Sequence, residues 1–114
     1  MPFIETKTSK EISLAAEVKM RNELGKAIEI FKGKSEKWLM LNFVGGARMS
    51  FRGTSEPECA IISVELFGKA QDAEYDAFTK AATDIVKDSL GLDPDRIYVK
   101  YTEYDTWGYN GENF

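Results

Sequence analysis

The sequence predicts an α+β fold in which two β-α-β units repeat one plan and join into a four-stranded sheet with both helices on one face. Three observations carry that expectation. Two long stretches, one from Ile12 to Phe31 and one from about Asp72 to Leu90, place apolar residues at helical spacing. Short segments on either side of each stretch alternate or are apolar throughout, as strands do. The order strand, helix, strand then recurs beyond a break at Gly45-Gly46, so two right-handed crossover units account for the chain.

Taken in order, Phe3 and Ile4 followed by Glu5, Thr6 and Lys7 read as a strand that begins at once. Thr8-Ser9-Lys10-Glu11 has the Ser/Thr-x-x-Glu form of a capping box and predicts the start of the first helix. Its core stripe is Ile12, Ala16, Met20, Leu24, Ile28 and Phe31, its charges fall largely off that stripe, and Gly33 stops it. Gly25 inside the helix costs about 1 kcal/mol relative to alanine. Trp38 to Val44 reads as a strand apolar on both sides, with Leu39, Leu41 and Phe43 opposite Trp38, Met40 and Asn42. Met49-Ser50-Phe51-Arg52 predicts a short strand before the turn-rich Gly53-Thr54-Ser55-Glu56-Pro57. Cys59 to Phe67 is a strong strand, with Ala60, Ile62, Val64 and Leu66 facing one way. The second helix, Asp72 to Leu90, has the stripe Phe78, Ala81, Ala82, Ile85 and Ser89 and ends at Gly91. Arg96 to Tyr101 is the last long strand. Two helices cover one face of such a sheet, and association through the other is the simplest way to cover it.

Composition narrows the chemistry. The 114 residues are expected to form one domain, 1–114, with a single core; 43% are hydrophobic and 30% charged. No run of about 18 apolar residues suggests a membrane span. Met1 to Lys10 holds no apolar signal-peptide core, so the expected location is cytoplasmic. Nineteen acids against 15 bases give a net charge of −4, which disfavours nucleic acid or an anionic membrane as partner. One cysteine, Cys59, excludes an intramolecular disulfide and a thiolate zinc cluster, and the absence of histidine argues against metal chemistry and His-based triads. Neither a metal nor a cofactor is expected, and catalysis falls to an amine, a carboxylate, a tyrosine or a lysine.

Pro2 stands out among these. Initiator methionine is usually trimmed before a small residue, and its removal leaves Pro2 with a free secondary amine. An α-amino group titrates near pKa ~7.7–8.0, and burial or a cationic neighbour lowers it toward neutrality, where a general base works best.

Met1-Pro2 opening a strand, Gly33-Lys34, the run Met49 to Pro57, Phe67-Gly68-Lys69, Asp95-Arg96-Ile97-Tyr98 and the ending Gly108 to Phe114 together resemble the tautomerase superfamily. The likeness is to the branch of macrophage migration inhibitory factor and D-dopachrome tautomerase, and it covers nearly the whole length. It implies a homotrimer whose sheets wrap a central channel, with sites between subunits. The implied activity is cofactor-free keto-enol tautomerisation of a phenylpyruvate or dopachrome type, with Pro2 as base. It also implies that Lys34 binds the substrate carboxylate or carbonyl oxygen and that the Phe67 backbone N–H is a donor. Tyr98 and Lys100, two apart on one strand face, are assigned to a neighbouring subunit's pocket, while Trp107 and Phe114 wall it. Two departures matter. Mammalian members carry asparagine where this chain has Lys100, and their C-x-x-C pair is here Cys59-Ala60-Ile61-Ile62, so dithiol chemistry does not transfer. The same apparatus with a protonated proline also suits hydration or dehalogenation. The alternative of another class is a cytokine-like protein that binds a receptor, leaves cells without a signal peptide, and has an incidental tautomerase site.

Overall fold

A computed structural model describes residues 1–114. Strand β1, Pro2–Thr8, is followed by helix α1, Leu14–Ala27, which tightens into a 3-10 turn at Ile28–Ile30. Strand β2, Met40–Val44, completes the first unit. The second comprises β3, Ala60–Phe67, α2, Asp72–Leu90, and β4, Ile97–Tyr104. The sheet runs β2-β1-β3-β4, with β1 parallel to β2, β3 parallel to β4, and the two units joined antiparallel through β1 and β3. This is the predicted four-stranded architecture.

Alternation decides which face each helix covers. Ile4, Thr6 and Thr8 of β1 and Ala60, Ile62, Val64 and Leu66 of β3 are buried beneath the helices. Met20, Leu24, Ile28 and Phe31 pack from one side and Phe78, Ala82, Ile85, Val86 and Leu90 from the other, with Phe31 and Phe78 ring centroids 4.9 Å apart. The stripe of α2 is therefore rotated from the predicted one, because Val86 and Leu90 are buried where Ala81 and Ser89 are only partly so. The opposite face is mixed: Glu5, Asn42, Ser63, Glu65 and Lys100 form its polar middle, while Met40 and Tyr98 lie 66% and 60% exposed toward its edges.

Four local readings are corrected. The capping box at Thr8 does not form. Ser13 is the N-cap, its hydroxyl accepting from Ala16 N–H at 3.1 Å, while the Thr8 hydroxyl donates to the Cys59 carbonyl at 2.8 Å and the Ser9 hydroxyl accepts from Cys59 N–H at 3.1 Å. Those side chains tie the end of β1 to the start of β3, a long-range use that a local motif cannot reveal. Met49–Arg52 is no strand; only an isolated bridge joins Phe51 to Thr54, in a loop held by the buried Arg96 guanidinium, which donates to the carbonyls of Phe51, at 2.8 Å, and Pro57, at 2.6 Å. Arg96 itself ends a 3-10 turn, and β4 runs on to Tyr104. Trp38 likewise belongs to a 3-10 turn, Glu36–Trp38, ahead of β2. A last hairpin, β5 at Gly108–Tyr109 and β6 at Glu112–Asn113, was not foreseen.

Candidate active site

One end of the sheet gathers five of the residues singled out from sequence. Pro2 is buried at the head of β1, opposite Leu66. That register brings the neighbouring Phe67 N–H to the Met1 carbonyl, to which it donates at 3.1 Å. The first helix ends at Ala27 and its 3-10 extension at Ile30, short of the expected stop at Gly33; Gly33, at φ 84°, instead turns the chain beyond them in a left-handed conformation that glycine alone adopts without cost, and aims Lys34 back at the sheet. Lys34 Nζ then donates to the Phe67 carbonyl at 2.8 Å. Both polar groups of the Phe67 peptide environment are thus engaged at one spot, the N–H by Met1 and the C=O by Lys34.

The electrostatics of that spot favour a neutral amine. The Met1 α-amine is lowered from 8.0 to about 6, first by burial and then by the Lys34 charge beside it. Removal of Met1 takes away the carbonyl that occupies Phe67 N–H. The Pro2 nitrogen it uncovers lies within about 5 Å of that donor, the reach of one hydrogen bond plus a carbonyl.

Aromatic residues build the walls. Phe114 N–H donates to the Trp107 carbonyl at 2.9 Å, which folds the C-terminal hairpin back so that the Phe114 ring lies 6.1 Å from Phe67. A cavity of about 470 Å³ opens beside Met1 and Pro2, lined also by Trp38, Met40, Trp107 and Tyr109. Trp38 and Tyr109 meet edge to face at 5.2 Å, and Lys37 and Glu65 complete the lining. None of these last four was singled out from sequence. Trp38 read as a strand residue, and Tyr109 gains its place only through the unforeseen hairpin, for which Gly108 and Asn110-Gly111 on either side of that tyrosine were the available signal.

Tyr98 and Lys100 do not join this cluster within one chain. Tyr98 pairs in register with Ile61 and Lys100 with Ser63, whereas Pro2 pairs with Leu66. Five and three residues along a strand are about 17 and 10 Å. Tyr98 instead packs edge-on against Phe51 at 4.9 Å, and Lys100 lines a hollow of the open face with Glu5, Ser63 and Glu65. Tyr104 lines the same hollow, where Glu65 raises the phenol's pKa.

The family model described as macrophage migration inhibitory factor matches residues 1–114. The macrophage migration inhibitory factor of Rattus norvegicus is 30% identical over 95 residues, covering 82% of each chain. Among solved structures, Leishmania major MIF2 superposes with a TM-score of 0.92 at 27% identity, covering 100% of this chain and 97% of that one. A homologue from Prochlorococcus marinus gives 0.80 at 26% identity over 98% of both chains. A fused 4-OT described as a symmetric trimer shares the fold with a TM-score of 0.81 at 19% identity, covering 96% of this chain and 94% of that one.

Proposed function

The chain belongs to the macrophage migration inhibitory factor family, and from that premise we propose that it is a cofactor-free keto-enol tautomerase acting on phenylpyruvate-type or dopachrome-type substrates. Pro2, freed by loss of Met1, is the general base. The observation that carries the reading is the joint placement of the Pro2 nitrogen, the Lys34 ammonium and the Phe67 N–H, the last blocked only by the Met1 carbonyl.

The reaction follows from the groups present. The neutral Pro2 amine takes the proton from the carbon next to the substrate carbonyl, and the C–H electron pair becomes the C=C bond as the carbonyl π pair moves onto oxygen. Phe67 N–H and Lys34 face the oxygen or carboxylate that bears the charge. A donor of this kind is worth about 10²–10³ in rate, and a placed general base about 10²–10⁴. The Pro2 ammonium returns its proton to the enolate oxygen, which completes the enol and regenerates the base. Trp107 and Phe114 hold the aromatic ring and exclude water. The protein works as a homotrimer, in which Tyr98 of a neighbouring copy supplies a hydroxyl donor and Lys100 a second cation. The exposed Met40 and Tyr98 on the uncovered face support such an assembly.

The test is enolisation of phenylpyruvate by chain whose intact mass lacks Met1. Catalysis by that chain and severe loss in Pro2→Gly support the reading. A trimmed, trimeric and inactive protein would overturn it in favour of a receptor-binding role.

A further inference from the structure

Two carboxylates outside the cavity hold the two loops that meet at Lys34 and Phe67. The Glu103 carboxylate, on β4, accepts from Ala70 N–H at 3.1 Å and from the Tyr75 hydroxyl at 2.6 Å, with Lys69 Nζ at 3.7 Å. Ala70 lies in the loop that follows Phe67. Gly68 N–H in the same loop donates to the Tyr104 carbonyl at 2.9 Å, so β4 grips the segment twice. The Glu74 carboxylate accepts from Lys32 N–H at 2.7 Å and from Gln71 N–H at 2.8 Å. Lys32 lies two residues before Lys34. Glu74 and Tyr75 are neighbours in the first turn of α2, so a single helix end is bonded to both loops.

This arrangement needs a reason beyond helix capping. The Glu74 carboxylate already accepts from Gln71 N–H, and the Gln71 carbonyl accepts from Glu74 and Tyr75 N–H, which caps the helix start locally. The bonds to Lys32 and, through Tyr75 and Glu103, to Ala70 reach across 42 and 33 residues of sequence. Each ends within three residues of a group that faces the Pro2 nitrogen.

We infer that Glu103, with Tyr75 and Glu74, is a positioning residue: it fixes the Phe67 peptide against the Lys34 ammonium and so sets how closely that cation approaches the Pro2 amine. The inference rests on the proposed role of Pro2 only through the amine it reads. Glu103 touches no substrate; its carboxylate bonds set the loop, and the loop sets the lysine. Both carboxylates are held below the usual range, Glu103 first by the Tyr75 hydroxyl and Glu74 first by Gln71 N–H, so the clamp stays ionised at neutral pH.

The experiment is an NMR titration of the Pro2 amine in trimmed protein, for wild type, Glu103→Ala and Glu103→Gln, beside kcat and KM for phenylpyruvate. The amine is faced by Lys34 and, across the cavity, by Lys37 and Glu65. Deleting a negative charge alone lowers an amine pKa. The clamp predicts the opposite for Glu103→Ala, a rise as Lys34 drifts away, whereas Glu103→Gln keeps both acceptor bonds and shows no rise. In the same variants kcat/KM falls about tenfold in Glu103→Ala and recovers in Glu103→Gln, as expected for misplacement of well under 1 Å. Should Glu103→Ala fail to fold, Tyr75→Phe, which removes one of the two bonds, shows a smaller rise of the same sign. An amine that titrates identically in Glu103→Ala and Glu103→Gln would overturn the inference. A wild type inactive on phenylpyruvate refutes the tautomerase reading, while the titration still decides the clamp.

Discussion

Replacing Lys34 by alanine separates two effects of one cation. The Met1 α-amine is held at about 6 instead of 8.0, first by burial and second by Lys34, and the Pro2 amine that replaces it meets the same two causes. Lys34→Ala removes the lysine's share and leaves that of burial, so the amine's pKa rises toward the ordinary 8.0 without reaching it. Only the neutral amine takes a proton, so the rate loss grows as pH falls through the amine's pKa and fades above about pH 8, where the amine is neutral in both proteins. On a keto-acid methyl ester no carboxylate is left to bind, so this pH-dependent loss dominates. On the free acid a further loss of about tenfold or more persists at every pH, the worth of a hydrogen bond to a charged partner. The assay is the pH dependence of kcat/KM on both substrates. An acid limb at the same pH in both proteins, with equal losses on acid and ester above pH 8, would refute the assignment of both effects to Lys34.

Three further outcomes are expected. Phe78→Ala, which empties a fully buried site against Phe31, lowers stability by about 3–5 kcal/mol in urea denaturation; a loss under 1 kcal/mol would mean the two helices do not pack there. Gly25→Ala stabilises by about 0.5–1 kcal/mol, because the side chain that occupies the new methyl's place is that of the exposed Glu36, which is free to swing into water; a lower melting temperature would show that Glu36 is held. Co-assembly of chains with an added N-terminal residue and chains carrying Tyr98→Ala regenerates about a quarter of the sites if Pro2 and Tyr98 come from different subunits. Mixed oligomers no more active than their parents would argue that each chain works alone.

What could be read ahead of the structure follows from the range of the interactions. The β-α-β repeat, the helix-facing residues of β3 and the stripe of α1 rest on periodicities of two and 3.6, which a chain displays locally. Thr8 and Ser9 misled because the same hydroxyls that cap helices also bond distant backbone, here Cys59, 51 and 50 residues away. Arg96 read as a strand start, yet its charge is buried by carbonyls of a loop some 40 residues upstream, a partner set with no local trace. Pro2 was singled out by the chemistry of its freed amine, and Lys34 and Phe67 by a family likeness. Their meeting depends on the register of β1 against β3 and on the turn at Gly33, neither of which spacing fixes. Trp38 and Tyr109 went unmarked because each gains its role from the other, across 71 residues.

The central claim is that the Pro2 nitrogen does the chemistry once Met1 has gone. The most direct measurement pairs intact mass with the phenylpyruvate enolisation rate across preparations that retain different fractions of Met1. Retained Met1 makes the Pro2 nitrogen an amide and keeps Phe67 N–H occupied, so the account predicts a rate proportional to the trimmed fraction and extrapolating to zero when none is trimmed. Equal rates per chain at every degree of trimming would contradict it.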